Sequence, residues 1–342
     1  MAAMEDAMQK QSSSPGGGGS HAIVGDIGGT HSRLALADFG GERPRIVTER
    51  IYDSRGEPEF GRVLARFLKD SDIAEKPPAI VLAVAGPVLD GAVTLTNLGW
   101  HLKERDLCDA GFRECRLMND FVALAIGVTV LPSDGTARIG PELAGRADGA
   151  MAIVGAGTGF GAAGLLRGQG ASRPFATEGG HVSFAPVDAV EIEVLRILQE
   201  KFGRVSVERV LSGPGLVNLH AALARLRGET VEAATDAAAI AKAAEDGDKT
   251  AHETVERFCM IYGSVAGDFA LAYGATGGVF LAGGIAPKMR RHLESGGFRA
   301  RFEAKGRLSH FVKGVPTTLV LRDDAALLGA AQVALRILRG AT

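Results

Sequence analysis

Two glycine-rich stretches of this sequence have the composition to meet an anion. "GDIGGT", residues 25–30, and "GAGTGFG", residues 155–161, each follow an apolar run, and the letters "AIVG" lead into both, at residues 22–25 and 152–155. Each reads as a β-hairpin with a turn stripped of side chains, so backbone N–H groups can approach a phosphate with no Cβ in the way. In the first, Asp26 adds a carboxylate and Thr30 a hydroxyl, the pair needed where a hydrated Mg²⁺ meets a phosphate oxygen. Superposing the two "AIVG" runs sets Ala156 against Asp26. One copy alone carries the acid, as expected of two similar halves that grip one nucleotide from opposite sides. A third strand-to-strand glycine turn is read at Gly283–Gly284, after the apolar run "GGVFLA". A tight hairpin explains any one of these turns; three at strand ends point to a ligand.

Such turns need sheets behind them. Residues 22–40 predict a strand, a turn and a strand, and "RIVTERIYDS" continues the alternation as a third strand. Val63, Leu64, Phe67 and Leu68 recur at helical spacing, and "PPAIVLAVAGPV" is a buried strand bounded by prolines. "CRLMNDFVALAIGV" predicts a short strand ending near Asn119 and a helix starting near Asp120. Residues 131–150 are rich in Gly, Pro and charge and make the candidate domain boundary, after which the hairpin pattern restarts. Residues 189–202 and 251–274 are helical, the second with Val255, Phe258, Cys259, Tyr262, Val265 and Phe269 on one face. A last helix follows "RDD", with Asp323 or Asp324 as N-cap. This succession predicts α/β layers, and 342 residues have room for roughly two domains of about 150 each.

Composition narrows the function classes. A hydrophobic content of 46%, a charged content of 23% and a net charge of −2 match a soluble protein with no attraction to nucleic acid or to a membrane surface. The apolar run "FVALAIGVTVL" is far short of the roughly 20 residues of a spanning helix. Cys108, Cys115 and Cys259 are odd in number and lack C-x-x-C spacing, which argues against a disulfide framework or a thiolate zinc site and fits a reducing cytoplasm. Residues 1–21, ending in "QSSSPGGGGSH", are expected to be a disordered extension without the features of a secretory signal. No G-x-x-x-x-G-K-[ST] is present, and "GAGTGFG" fails G-x-G-x-x-G because Phe160 takes the last position. "DFG" at 38–40 has no H-R-D or V-A-I-K to accompany it and reads as a strand end and turn.

"GDIGGTHSRLAL", "LMNDFVALA", "GAGTGFG", "EGGHVSFAP", "RVSVERVLSGPGLVNL" and "FLAGGIAP" occur in the order and approximate spacing of the bacterial glucokinases. The chain resembles that family from about residue 22 to residue 340. Each block is modest alone; six in register are specific. The resemblance implies a two-lobed α/β fold of the actin-like (ribonuclease H-like) ATPases, with the active site in the cleft between lobes. It implies a small domain at 22–130 plus 323–342, a large domain at 131–322, and a homodimer. The implied reaction is ATP-dependent phosphorylation of D-glucose to glucose 6-phosphate, a cytoplasmic step of glycolysis.

Residue by residue, the resemblance puts the β/γ-phosphate end of ATP and its Mg²⁺ at Asp26, Gly28, Gly29 and Thr30, with Asp26 holding the metal through water. It makes Gly157, Thr158 and Gly159 the second phosphate loop, and Gly283 and Gly284 the adenosine-side turn. It assigns Asp120 as general base beside the sugar-binding Asn119, and Glu178, His181 and Glu208 to sugar hydroxyls. A carboxylate at a strand's carboxyl end can take the proton of an attacking hydroxyl, and phosphoryl transfer otherwise needs alignment and charge neutralisation. From residue types alone Asp120 is equally a helix cap, His181 a structural residue of a glycine-rich loop, and Glu208 a solvated helix residue.

The cysteine-rich zinc motif of the related repressor/kinase group has no counterpart in "EGGHVSFAPVDAVEIEVL". His31 and Ser32 stand where many relatives carry Asn-Ala, and Ser183 where Asp is common; none is an assigned ligand. The rival from another class is an actin-like ATPase or sugar sensor that phosphorylates nothing, which would have no use for Asp120 beside a set of hydroxyl readers.

Overall fold

The computed structural model describes residues 21–41, 43–168, 172–230 and 236–340. The expected disordered extension, residues 1–21, lies outside these except for His21, which opens the first strand. The chain divides into two compact units, Met1–Leu117 with Ala330–Thr342, and Met118–Gly329.

The first unit carries β1 (His21–Ile27), β2 (His31–Asp38), β3 (Arg45–Asp53), α1 (Phe60–Asp70), β4 (Ala79–Val84), β5 (Ala92–Leu95), β6 (Trp100–Lys103), α2 (Glu104–Asp109) and β7 (Glu114–Asn119), the last reaching two residues past its edge. The second carries α3 (Asp120–Gly127), β8 (Thr136–Ile139), β9 (Met151–Ala156), β10 (Phe160–Leu166), β11 (Arg173–Thr177), α4 (Ala189–Phe202), α5 (Gly213–Leu226), α6 (Ala237–Glu245), α7 (Lys249–Ala272), β12 (Gly278–Ala282), α8 (Arg290–Glu294), α9 (Gly297–Glu303), α10 (Ser309–Lys313) and β13 (Thr317–Val320). The closing helix, α11 (Ala325–Leu338), begins in the second unit and ends in the first.

The repeated "AIVG" reflects a repeated strand plan. One sheet runs β3-β2-β1-β4-β7 and the other β11-β10-β9-β12-β13-β8. In both, the hairpin strands are antiparallel, a third antiparallel strand joins the outer one, and the inner strand pairs in parallel with the strand beyond a helical crossover. Inner strands covered on both faces must be apolar throughout, and all six residues of β4 and of β9 are buried. A separate β5–β6 hairpin adds Trp100 to the core of the first unit, edge-on to Phe60.

Helix α7 forms the spine of the second core. Its Tyr262 is fully buried among Phe160, Phe258 and Phe298, at ring distances of 5.9, 6.3 and 6.0 Å, all edge-on. A buried hydroxyl costs free energy unless it is bonded; Tyr262 Oη donates to the Val154 carbonyl of β9 at 3.0 Å.

Three expectations shift. Residues 131–150 are not the boundary between the units: they lie in the second unit and contain β8, which pairs antiparallel with β13 at the edge of the second sheet. The units part at 117/118 and 329/330 rather than at 130/131 and 322/323. The reason is that α3 packs on β9, β10 and β11, and its Gly127 meets the start of α11 so closely that a Cβ would collide with the Ala325 carbonyl. Gly283–Gly284 is not a strand-to-strand turn either. It leads from β12 into the 3₁₀ turn Pro287–Met289, with Gly283 at φ +83° and packed on Ala156 where a Cβ would strike the backbone. Among the described residues no helix is long and apolar enough to cross a membrane.

Candidate active site

In the first unit the β1–β2 turn is closed by the Gly28 N–H donating to the His31 carbonyl at 2.9 Å. The 3₁₀ turn Ser54–Gly56 is fastened beside it: the Ser54 N–H donates to the Thr30 carbonyl at 2.9 Å, and the Arg55 guanidinium donates to Thr30 Oγ1 at 3.2 Å. A cation therefore sits at a glycine turn, a combination that suits an anion. Asp26, one residue before the end of β1, is half-buried and lies opposite Arg33 in the strand register. Burial pushes its carboxyl up to about 6, with Arg33 acting in the opposite direction.

In the second unit the equivalent turn is closed by the Gly157 N–H donating to the Gly159 carbonyl at 2.8 Å. Three further pieces converge on it. Glu208, in the 3₁₀ turn Val207–Arg209, accepts the Phe160 N–H at 2.9 Å, and its carboxylate takes the space that a side chain on Gly159 would need. The first N–H of α5, on Gly213, donates to the Gly157 carbonyl at 2.8 Å. Ser212 caps that helix by accepting the Gly215 N–H at 2.9 Å, a preferred N-cap use of serine. The Gly283 turn approaches Ala156, and the Ile285 N–H donates to the Ala156 carbonyl at 3.2 Å.

The segment "EGGH" lies against the same hairpin for a steric reason. A Cβ on Gly180 would strike the Phe160 carbonyl, and one on Gly179 would sit 2.5 Å from the Phe269 ring. The glycines thus let the 3₁₀ turn Gly179–His181 press on β10, which leaves Glu178 and His181 exposed, with His181 Nε2 at 4.0 Å from Glu178 Oε2. Strand-like pairing of residues 182–184 with 205–207 ties this turn to that of Glu208: Val207 N–H donates to Val182 at 2.9 Å and Phe184 N–H to Val205 at 3.0 Å.

Asn119 and Asp120 stand at the junction of β7 and α3. The helix cap is Asn119, whose Oδ1 accepts the Phe121 and Val122 N–H groups at 3.0 and 3.2 Å. Asp120 is the first helical residue, and its Oδ1 accepts from Phe121 at 2.9 Å. Negative charge is favoured at a helix N-terminus, the position that this side chain occupies. Phe121 is the residue that the sequence reading missed. Its ring lies over Gly155 and Gly161, a register pair of the β9–β10 hairpin, where a Cβ on Gly161 would collide with it and one on Gly155 would lie 2.9 Å away. Two glycines facing each other across a hairpin were the available signal. Through Phe121, Asp120 is fixed to the hairpin that bears the second glycine turn.

Residues 23–337 match the family model described as Glucokinase. A glucokinase of Caulobacter sp. (strain K31) is 48% identical over 310 residues, which cover 90% of this chain and 93% of that one. A solved glucokinase from an Antarctic psychrotroph is 37% identical, with a TM-score of 0.83 over 93% of this chain and 99% of that one. A ROK family glucokinase from Streptomyces griseus, solved in complex with glucose and AMPPNP, shares the fold at 19% identity and TM-score 0.61, over 92% and 99%.

Proposed function

Because the chain belongs to the glucokinase family, with the actin-like sugar kinase fold, and is an enzyme that phosphorylates glucose, we propose that Asp120 is its general base and Mg-ATP its phosphoryl donor. The observation that carries this reading is the shared frame in the second unit. One hairpin bears the Gly157–Gly159 turn, receives Glu208 at the Phe160 N–H and seats Phe121 beside Asp120.

In this reading Asp120 accepts the proton of the glucose 6-hydroxyl as that oxygen attacks the γ-phosphorus. Asn119, its Oδ1 engaged by α3, offers its amide N–H to a sugar oxygen. Glu178 and Glu208 accept bonds from hydroxyls, and His181 donates or accepts, so together they read the stereochemistry of a polyol. Gly28, Gly29 and Thr30 form one phosphate turn and Gly157, Thr158 and Gly159 the other; the Gly28 and Gly157 N–H groups close the turns, the remaining N–H groups and the two threonine hydroxyls meet phosphate oxygens, and Gly283 and Gly284 face the adenosine side. The glucose and AMPPNP bound to the Streptomyces griseus relative support both ligands. Asp26 fits Mg²⁺ as a single, partly desolvated carboxylate near the end of β1, since this ion is usually held by one or two carboxylates, water and substrate phosphates. Mg²⁺ supplies charge neutralisation on the phosphates. A homodimer, implied by the resemblance alone, is tested by light scattering of the purified chain.

The deciding experiment measures ADP production from Mg-ATP with glucose, mannose, fructose, N-acetylglucosamine or no sugar, for wild type and Asp120→Asn. The expected result is turnover with glucose and a loss of about 10²–10⁴-fold in kcat for the variant, with an unchanged circular dichroism spectrum. Hydrolysis independent of sugar, or an unaffected variant, overturns the assignment.

A further inference from the structure

The three cysteines are not equivalent. Cys259 is buried in α7, whereas Cys108 is exposed in the last turn of α2 and Cys115 is half-buried, second in β7. The Sγ atoms of Cys108 and Cys115 are 2.6 Å apart, against ~2.05 Å for a covalent S–S bond. Backbone constraints set this approach. The chain reverses between α2 and β7 through Gly111, at φ +104°, whose N–H donates to the Cys108 carbonyl at 2.9 Å, and through Phe112, which is buried and whose N–H donates to Leu107 at 3.4 Å. At the other end of α2, Glu104 Oε1 accepts the Leu117 N–H of β7 at 2.8 Å and lies 3.9 Å from Arg116. Helix and strand are therefore held side by side at two points, and the second point is a pair of thiols.

We propose that Cys108 and Cys115 are an oxidation site, converted to an intramolecular disulfide by a low-molecular-weight disulfide of the glutathione class. The Cys108 thiolate, the accessible one, attacks a sulfur of the oxidant and forms a mixed disulfide with release of one thiol. The Cys115 thiolate then attacks Cys108 Sγ and releases the second. Two protein thiols and one small disulfide become one protein disulfide and two small thiols, so the protein loses two electrons and two protons and the oxidant gains them. The product closes an eight-residue loop and fastens α2 to β7, an end strand of its sheet and the one that leads into Asn119 and Asp120. Burial, the Cys108 sulfur and the Glu104 and Glu114 carboxylates hold the Cys115 thiol above the usual range, which fits its role as the second, resolving sulfur.

The test incubates the native full chain with oxidised glutathione and reads intact mass, a peptide map and the melting temperature. The expected wild-type product is about 2 Da lighter, reverts with dithiothreitol, links the Cys108 and Cys115 peptides, and melts a few degrees higher than the reduced protein. Cys115→Ser, which lacks the resolving sulfur, is expected to stop at a glutathione adduct on Cys108, and Cys108→Ser to stay reduced. A wild-type product that stops at the adduct, a link to Cys259 or between chains, or a melting temperature that does not rise overturns the proposal.

Discussion

Glu208 shows how much a single carboxylate does in this chain. It reads in the sequence as a solvated helix residue, yet its Oε2 accepts the Phe160 N–H at the close of the second glycine turn. Removing an acceptor from a partly buried N–H leaves that group unsatisfied, at a cost of about 1–3 kcal/mol. Glu208→Ala is expected to lower kcat/KM for glucose by roughly 5- to 150-fold. Glu208→Gln retains a carbonyl acceptor for Phe160 and is expected to lose less. Steady-state kinetics of the two variants side by side check this; equal losses would mean that charge, not the hairpin contact, is what matters.

Between elements, the fit of α3 onto the β9–β10 hairpin rests on what two glycines lack. Phe121 occupies the space that Cβ atoms on Gly155 and Gly161 would need. Gly161→Ala is expected to destabilise the protein by about 1–3 kcal/mol through overpacking. Because the displaced ring adjoins Asp120, kcat is expected to fall as well. Urea unfolding and kinetics on one preparation measure both, and a stability loss with unchanged kcat would separate α3 packing from catalysis. Residues of this kind are illegible in one sequence: a glycine announces a missing side chain but does not say which distant ring fills the space.

For the molecule as a whole, two histidines help to make stability depend on pH. His220 of α5, 3.1 Å from Thr254 of α7, is held below its ordinary value of 6.5 by burial, against Asp248 and Glu229. His292 of α8 is lowered by burial and by His252, against Glu256 and Glu245. A depressed imidazole pKa means that the unfolded chain takes up the proton first. Their contribution to stability is therefore whole above pH 6.5 and is lost as the pH falls through the lowered folded values. Asp26, whose raised carboxyl makes the folded chain take up that proton first, acts in the opposite direction over the same range, so the histidine contribution is read as a difference. From pH 7 to pH 5 the melting temperature of His220→Asn, which keeps a polar partner for Thr254, is expected to gain on that of wild type, and an equal change in the two proteins would assign the effect to other groups.

The hairpins, the central buried strands, the amphipathic α1 and α7 and the order of six sequence blocks were legible because they depend on local rules. Alternation of period two marks a half-covered strand, period 3.6 marks a helix face, and absent side chains mark a turn. The short β8, lying in a Gly- and Pro-rich segment, was not legible, since it is a strand only because β13 is there to pair with it. Tertiary structure alone decided that Glu208 reaches a turn 48 residues away, that Asn119 rather than Asp120 caps α3, and that Cys108 meets Cys115. Sequence spacing describes the chain along its length, whereas these contacts depend on which elements pack across it.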